Sequence, residues 1–284
     1  MDVVQQIVNG LVIGSGYACI ALGWTVLLGA ARLVNFAHGQ MYMLAAFVCW
    51  FILTRMGLAF PIAAALTVVC FIVLGIALQL LMNRLVMTQN LTSLMIVTLG
   101  IGYVLQGGAG ILFGGAPQTF RSELSRIQFR MDSVWFTAQD LLVLVMALFL
   151  YAAVWYFLNR TSQGSSIRAV AEDPKLAQLL GIDPRVVYVV IFVIEAVLVA
   201  TSAILVAPRS PILTSMGFDE VIITFVVVVL GGVGSVGGAL IASFAIGQFT
   251  ALFGALVSPA YVTAAIFGVL MLFLIARPKG LSFR

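Results

Sequence analysis

Residues 91 to 113, "LTSLMIVTLGIGYVLQGGAGILF", hold no charged side chain, and similar runs of about 20 residues recur along the whole chain. A helix rises about 1.5 Å per residue, so ~20 apolar residues match the ~30 Å hydrocarbon core of a bilayer. Hydrocarbon offers no partner to an exposed peptide group, which leaves helices as the structure for such runs. Soluble domains carry roughly 25% charged residues; this chain carries 8%, with 63% apolar residues and a mean hydropathy of +1.18. The expected fold is all-α, a polytopic helical membrane protein.

Segments near 3 to 28, 36 to 54, 58 to 82, 91 to 113, 138 to 158, 187 to 207, 220 to 236, 239 to 257 and 260 to 276 read as about nine crossings, within a range of eight to ten. The breaks at Arg32, Arg84, 159 to 186 and 277 to 284 hold nine basic residues. The alternate breaks, with Arg55, Arg121, Arg126, Arg130 and Arg209, hold five. By the positive-inside rule the first set is cytoplasmic, so the amino terminus is expected outside and the carboxyl terminus inside. The net charge of +4 then records topology, and nucleic acid is not expected as a partner. "MDVVQQIVNG" lacks the basic region and cleavage site of a secretory signal, so the first span is expected to remain. Only two connections are long enough for structure of their own: 114 to 137 outside and 159 to 186 inside. The chain therefore reads as one domain, 1 to 284, with the 159 to 186 loop within it.

Glycines spaced by four, at Gly10 and Gly14, Gly110 and Gly114, and Gly234 and Gly238, suit close helix packing in lipid. Gly232, Gly234 and Gly237 imitate a dinucleotide-binding G-x-G-x-x-G. No acidic residue follows Glu220 to hold a ribose. Gly231, Gly232, Gly234, Gly237 and Gly238 are read instead as a structural turn between two spans at the cytoplasmic face. No P-loop sequence is present, so any ATP hydrolysis belongs to another chain, and this chain is not expected to be an enzyme. Cys19, Cys49 and Cys70 lie in apolar runs and read as small hydrophobes. No metal site is expected, because the single histidine, His38, has no evident companions. His38 is read as structural. Glu195 lies inside an apolar run with no basic residue in its own span. It is expected either to hydrogen-bond across helices or to face a wet cavity.

Against this background "IRAVAEDPKLAQLLGIDP" is unusually polar. Asp173 suits an N-cap, Pro174 the first helical position and Gly181 a left-handed residue past the end, which predicts a two-turn helix. Leu176, Leu179 and Leu180 share one face at helical spacing. So short a helix needs a surface to dock on. That surface is either the protein's own cytoplasmic side or a groove on a partner.

Three stretches together carry a resemblance: "NGLVIGSGYACIALGWTVLLGAARLVNFAHGQMYMLAAF", "IRAVAEDPKLAQLLGID" and "ITFVVVVLGGVGSVGGALIASFAIG". They resemble the membrane subunits of ABC importers for branched-chain amino acids and related small solutes, in the expected order and over most of the chain. The resemblance implies a permease of the bacterial inner membrane paired with a homologous second permease, two cytosolic ATPase subunits and a periplasmic solute-binding protein. ATP and Mg would be bound by the ATPase subunits and no cofactor by this chain. It also implies that Glu172, Asp173, Pro174, Leu176, Leu179, Leu180 and Gly181 form a coupling helix seated in an ATPase groove. Glu195 and Ile223 depart from the residues common in such proteins, which leaves the solute open. The path is expected between the two permeases, with Thr98, Gln106, Glu195 and Ser202 as candidate lining. The mixed charges Arg121, Glu123, Arg126, Arg130 and Asp132 suit a docking surface for the binding protein. The alternative reading is an ion-coupled secondary transporter or channel, for which one intramembrane carboxylate is thin support.

Overall fold

The computed structural model describes residues 3–87, 90–131, 134–277 and 280–281; Asp132 lies outside them. The chain is almost entirely helical. In order come α1 (Val3–Ala30), α2 (His38–Thr54), α3 (Phe60–Met87), α4 (Leu91–Phe113), β1 (Gln128–Met131), β2 (Val134–Thr137) and α5 (Ala138–Arg160). They are followed by α6 (Ser162–Glu172), α7 (Pro174–Leu179), α8 (Pro184–Val206), α9 (Met216–Gly231), α10 (Val236–Leu256) and α11 (Val262–Ala276).

All nine expected apolar segments are helices, but they are not alike. Seven helices are long and apolar enough to cross a bilayer: α1, α3, α4, α5, α8 with the turn that ends it at Arg209, α10, and α11 with the turn that begins it at Pro259. The other two, α2 with 17 residues and α9 with 16, span only about 25 Å. Each begins in the interior, as described below.

The centre of the molecule is α1, buried along most of its length. Its glycines explain how neighbours come so close. A Cβ on Gly14 would lie 2.9 Å from the Phe244 backbone on α10, and one on Gly247 would overlap Gly14 itself. The expected packing role thus holds for Gly14. A Cβ on Gly110 or Gly114 would meet no described atom of this chain within 4 Å; Gly114 ends α4 with φ +84°. α8 is buried between α1 and α3, where Gly75 of α3 lies against Phe192 and Ala196. The outer faces of α3, α4, α5 and α11 carry exposed Leu81, Val104, Ile111, Phe149, Leu272 and Ile275. Water would penalise a belt of this kind, while lipid accommodates it.

Both long connections are folded. Outside, the segment before α5 forms a β1–β2 hairpin pairing Phe129 with Phe136 and Arg130 with Trp135. Gln5 ties the hairpin to α1, accepting from the Trp135 N–H at 2.8 Å and donating to its carbonyl at 3.2 Å. Thr137 and Asp140 form a reciprocal cap at the start of α5, and the same carboxylate pairs with Arg209 Nε at 3.0 Å beyond the end of α8. Inside, the loop from 159 to 186 contains two helices where one was expected. The additional one, α6, is amphipathic and buries Ile167 and Val170.

Candidate functional site

The backbone between α1 and α2 turns back into the protein. His38, the first residue of α2, lies beside Ile20 and Gly23 in the central part of α1. Glu195, which it meets, is the middle residue of α8, and Gly102, which faces Ala37, is the middle residue of α4. α2 therefore starts at mid-depth and runs outward. α9 starts at the same depth, with Gly217 so close to Gly39 that a Cβ on either would overlap the other's backbone. It runs the opposite way, to Gly231 at the cytoplasmic turn. The two short helices meet at their N-termini inside the molecule, where glycine alone permits the approach.

The segment from Asn35 to His38 holds this junction. The Asn35 carbonyl accepts from the His38 N–H at 3.2 Å, and Asn35 Oδ1 from the Ala37 N–H at 3.0 Å. The Phe36 N–H donates to Thr98 Oγ1 on α4 at 3.1 Å. Asn35 Nδ2 donates to Glu195 Oε1 at 3.0 Å, and His38 Nδ1 lies 3.0 Å from the same oxygen. His38 Nε2 is 3.1 Å from the Ile20 carbonyl, which can only accept, so Nε2 carries a hydrogen. One further proton lies between Nδ1 and Oε1, and the pair is neutral overall whichever atom holds it. Both side chains are wholly buried. His38 is thus structural as expected. Glu195 makes its cross-helix bonds to Asn35 and His38, which reach it from the turned-back segment and not from its own span.

The four path candidates do not share one wall. Thr98 and Glu195 flank the Asn35 to His38 segment, and Ser202 donates to the Cys19 carbonyl at 2.7 Å higher on α8. All three are buried within this chain, whereas Gln106 is half-exposed on α4. Gln40 was missed in the sequence. It is wholly buried against Gly102 and Gly217, and neither polar atom of its amide has a partner among the described residues. The signal was present in "NFAHGQ", a polar cluster inside an apolar run. Reading it required knowing that α2 begins there.

At the end expected to face the cytoplasm, Asp173 Oδ1 accepts from the N–H groups of Lys175 and Leu176 at 2.8 and 3.1 Å, and Gly181 has φ +83°. α7 is therefore the capped short helix that the sequence predicts. Leu176, Leu179 and Leu180 are 56%, 84% and 72% exposed. They do not pack on the protein's own surface. The glycine turn lies at the same end, with Gly234 against Gly29 and Gly238 against Gly231. It borders a cavity of about 530 Å³ that Arg32, Arg168 and Glu172 also line.

Helices that cross a bilayer, two half-helices meeting inside and a capped helix projecting from one end define a polytopic membrane transport subunit. Residues 6–275 match the family model described as "Branched-chain amino acid transport system / permease component", and the chain belongs to that family. It is a permease subunit of an ABC importer, a multi-pass membrane protein and a transporter, not an enzyme. It is similar to the high-affinity branched-chain amino acid transport system permease protein BraD of Pseudomonas aeruginosa, 29% identical over 98% of this chain and 94% of that protein. LivH of Escherichia coli is also 29% identical with the same coverage. LivM of Escherichia coli, another permease protein of such a system, is 25% identical over 93% of this chain and 67% of its own length.

Proposed function

We propose that the protein imports branched-chain or other small amino acids or related solutes across the bacterial inner membrane. It does so beside a homologous second permease, fed by a periplasmic solute-binding protein. Two cytosolic ATPase subunits bind ATP and Mg and drive the cycle. The relatives' names support the solute class, and LivM among them supports a second, related permease. The exposed leucine face of α7 is the observation that carries the coupling role.

Burying one leucine contributes roughly 1.5–3 kcal/mol, so Leu176, Leu179 and Leu180 are a sufficient anchor for a short helix in an ATPase groove. Glu172, Asp173 and Lys175 at the rim fix register more than affinity, since exposed ion pairs are worth under about 1 kcal/mol. The rigid caps at Asp173 and Asp183 let movement of α7 reach α8 directly, because Asp183 caps the first turn of α8 through the Arg185 N–H at 2.9 Å. The path runs between the two permeases. Gln106 faces it from α4, with Thr98, Glu195 and Ser202 supporting its wall from within.

The test is uptake by the reconstituted complex. Leu179→Asp should abolish uptake while the permeases still pair, and cysteine in Gln178→Cys should crosslink to the ATPase. Normal uptake by Leu179→Asp, or crosslinks confined to the permease, would remove the coupling role.

A further inference from the structure

Two polar groups at the half-helix junction have no partner among the described residues. One is the whole amide of Gln40, in the first turn of α2; the other is Oε2 of Glu220, one turn into α9. They sit close together in the fold. Gln40 Oε1 would be 2.7 Å from a Cβ on Gly217, and Glu220 follows Gly217 by three residues, on the same side of α9. Burying an amide in apolar surroundings without a hydrogen bond is costly, and no described residue takes up the hydrogen bonds of this one. Leucine or methionine would fill the same space without that penalty. An amide kept at the middle of a membrane protein points to a ligand that uses it.

The surroundings specify the ligand. Two helix N-termini converge here, and the positive ends of their dipoles favour negative charge. Glu220, in turn, favours positive charge, and Arg209 and Asp219 are the charged groups that already act on it. A group with both, at the spacing of two neighbouring side chains, is the zwitterionic end of an amino acid. Tyr103 and Phe218, the residues that follow the two glycines flanking Gln40, pack on each other at 5.1 Å, and Tyr103 is 60% exposed. That aromatic pair joins α4 to α9 next to the two glycines that touch Gln40.

We infer that the junction of α2 and α9 is a mid-membrane contact point for an amino acid in transit, with the Gln40 amide meeting its carboxylate and Glu220 its ammonium. The inference rests on the amino-acid importer reading above. The site is closed here, and the solute reaches Gln40 when Tyr103 and Phe218 part. One hydrogen bond to a charged group, worth about a tenfold change, is enough for selection without a trap.

The experiment uses the complete importer in proteoliposomes, with its binding protein and radiolabelled leucine. Gln40→Leu and Glu220→Gln should each lower uptake per ATP hydrolysed by about tenfold or more, with assembly intact and the melting temperature no lower than that of the wild type; for Gln40→Leu it should rise. Wild-type uptake in both variants would overturn the inference alone, as would a loss of uptake that tracks a loss of assembly. A wild-type complex that hydrolyses ATP but moves no amino acid would overturn the importer reading, and this inference with it.

Discussion

His38 donates through Nε2 to a carbonyl that can only accept, and this fixes what Glu195 must do. The carboxyl oxygen at 3.0 Å from Nδ1 has to share a proton with the ring while also accepting from Asn35. Glu195→Ala would strand the imidazole and the Asn35 amide in a dry interior. Breaking a buried pair in this way typically costs about 3–5 kcal/mol. Glu195→Gln keeps the shape and one of the bonds, and should cost about 1–2 kcal/mol. The melting temperature of the purified permease should therefore fall in the order wild type, Gln, Ala. Equal melting temperatures for the wild type and Glu195→Gln would show that the shared proton contributes nothing. Glu195 was legible as exceptional in the sequence, because a carboxylate in an apolar run needs an explanation. Its partners were not legible, because they lie about 160 residues away and come from a segment that reads as the beginning of an ordinary span.

At the scale of elements, the difference between a crossing and half a crossing turns on two glycines. Gly39 and Gly217 allow two helix N-termini to meet where any side chain would collide with backbone. Gly39→Ala should prevent the junction from closing, giving a permease that inserts but does not pair stably, checked by co-purification with its sister subunit. Hydropathy could not distinguish this arrangement, since an apolar helix has the same composition whether it starts at the surface or in the middle. α7 is the opposite case. Its caps are local chemistry, and Asp173, Pro174 and Gly181 are where the sequence places them. Asp173→Ala removes the acceptor for two N–H groups and should destabilise the helix by about 0.5–2 kcal/mol. ATP hydrolysis should then be less tightly linked to uptake, measured as solute moved per ATP.

For the whole molecule, the belt of exposed apolar side chains on α3, α4, α5 and α11 fixes the orientation in lipid. The distribution of arginines gives the expectation of which end is which. Cysteine in Glu123→Cys should react with an impermeant thiol reagent added outside intact cells. Cysteine in Gln178→Cys should react only after permeabilisation, and labelling of both from one side would overturn the topology. The outer hairpin and the turn at Glu123–Arg126 present exposed Arg121, Arg126 and Arg130 on a scaffold tied to α1. Charge reversal of Arg126 and Arg130 together should reduce stimulation of ATP hydrolysis by the binding protein, most strongly at low salt where charge steering is least screened.

The linear chain determined that this protein lies in a membrane and where a short capped helix leaves it, and its charges give the expected orientation. Each of these follows from side chains within a few residues of one another: their transfer from water, their charge, and their reach to a free backbone N–H. Tertiary structure alone decided that α2 and α9 start halfway, that His38 and Asn35 serve Glu195, and that Gln40 is buried between two glycines. Those outcomes depend on which distant surfaces come within ångströms of each other, and apolar composition, being alike on every face, carries no record of that choice.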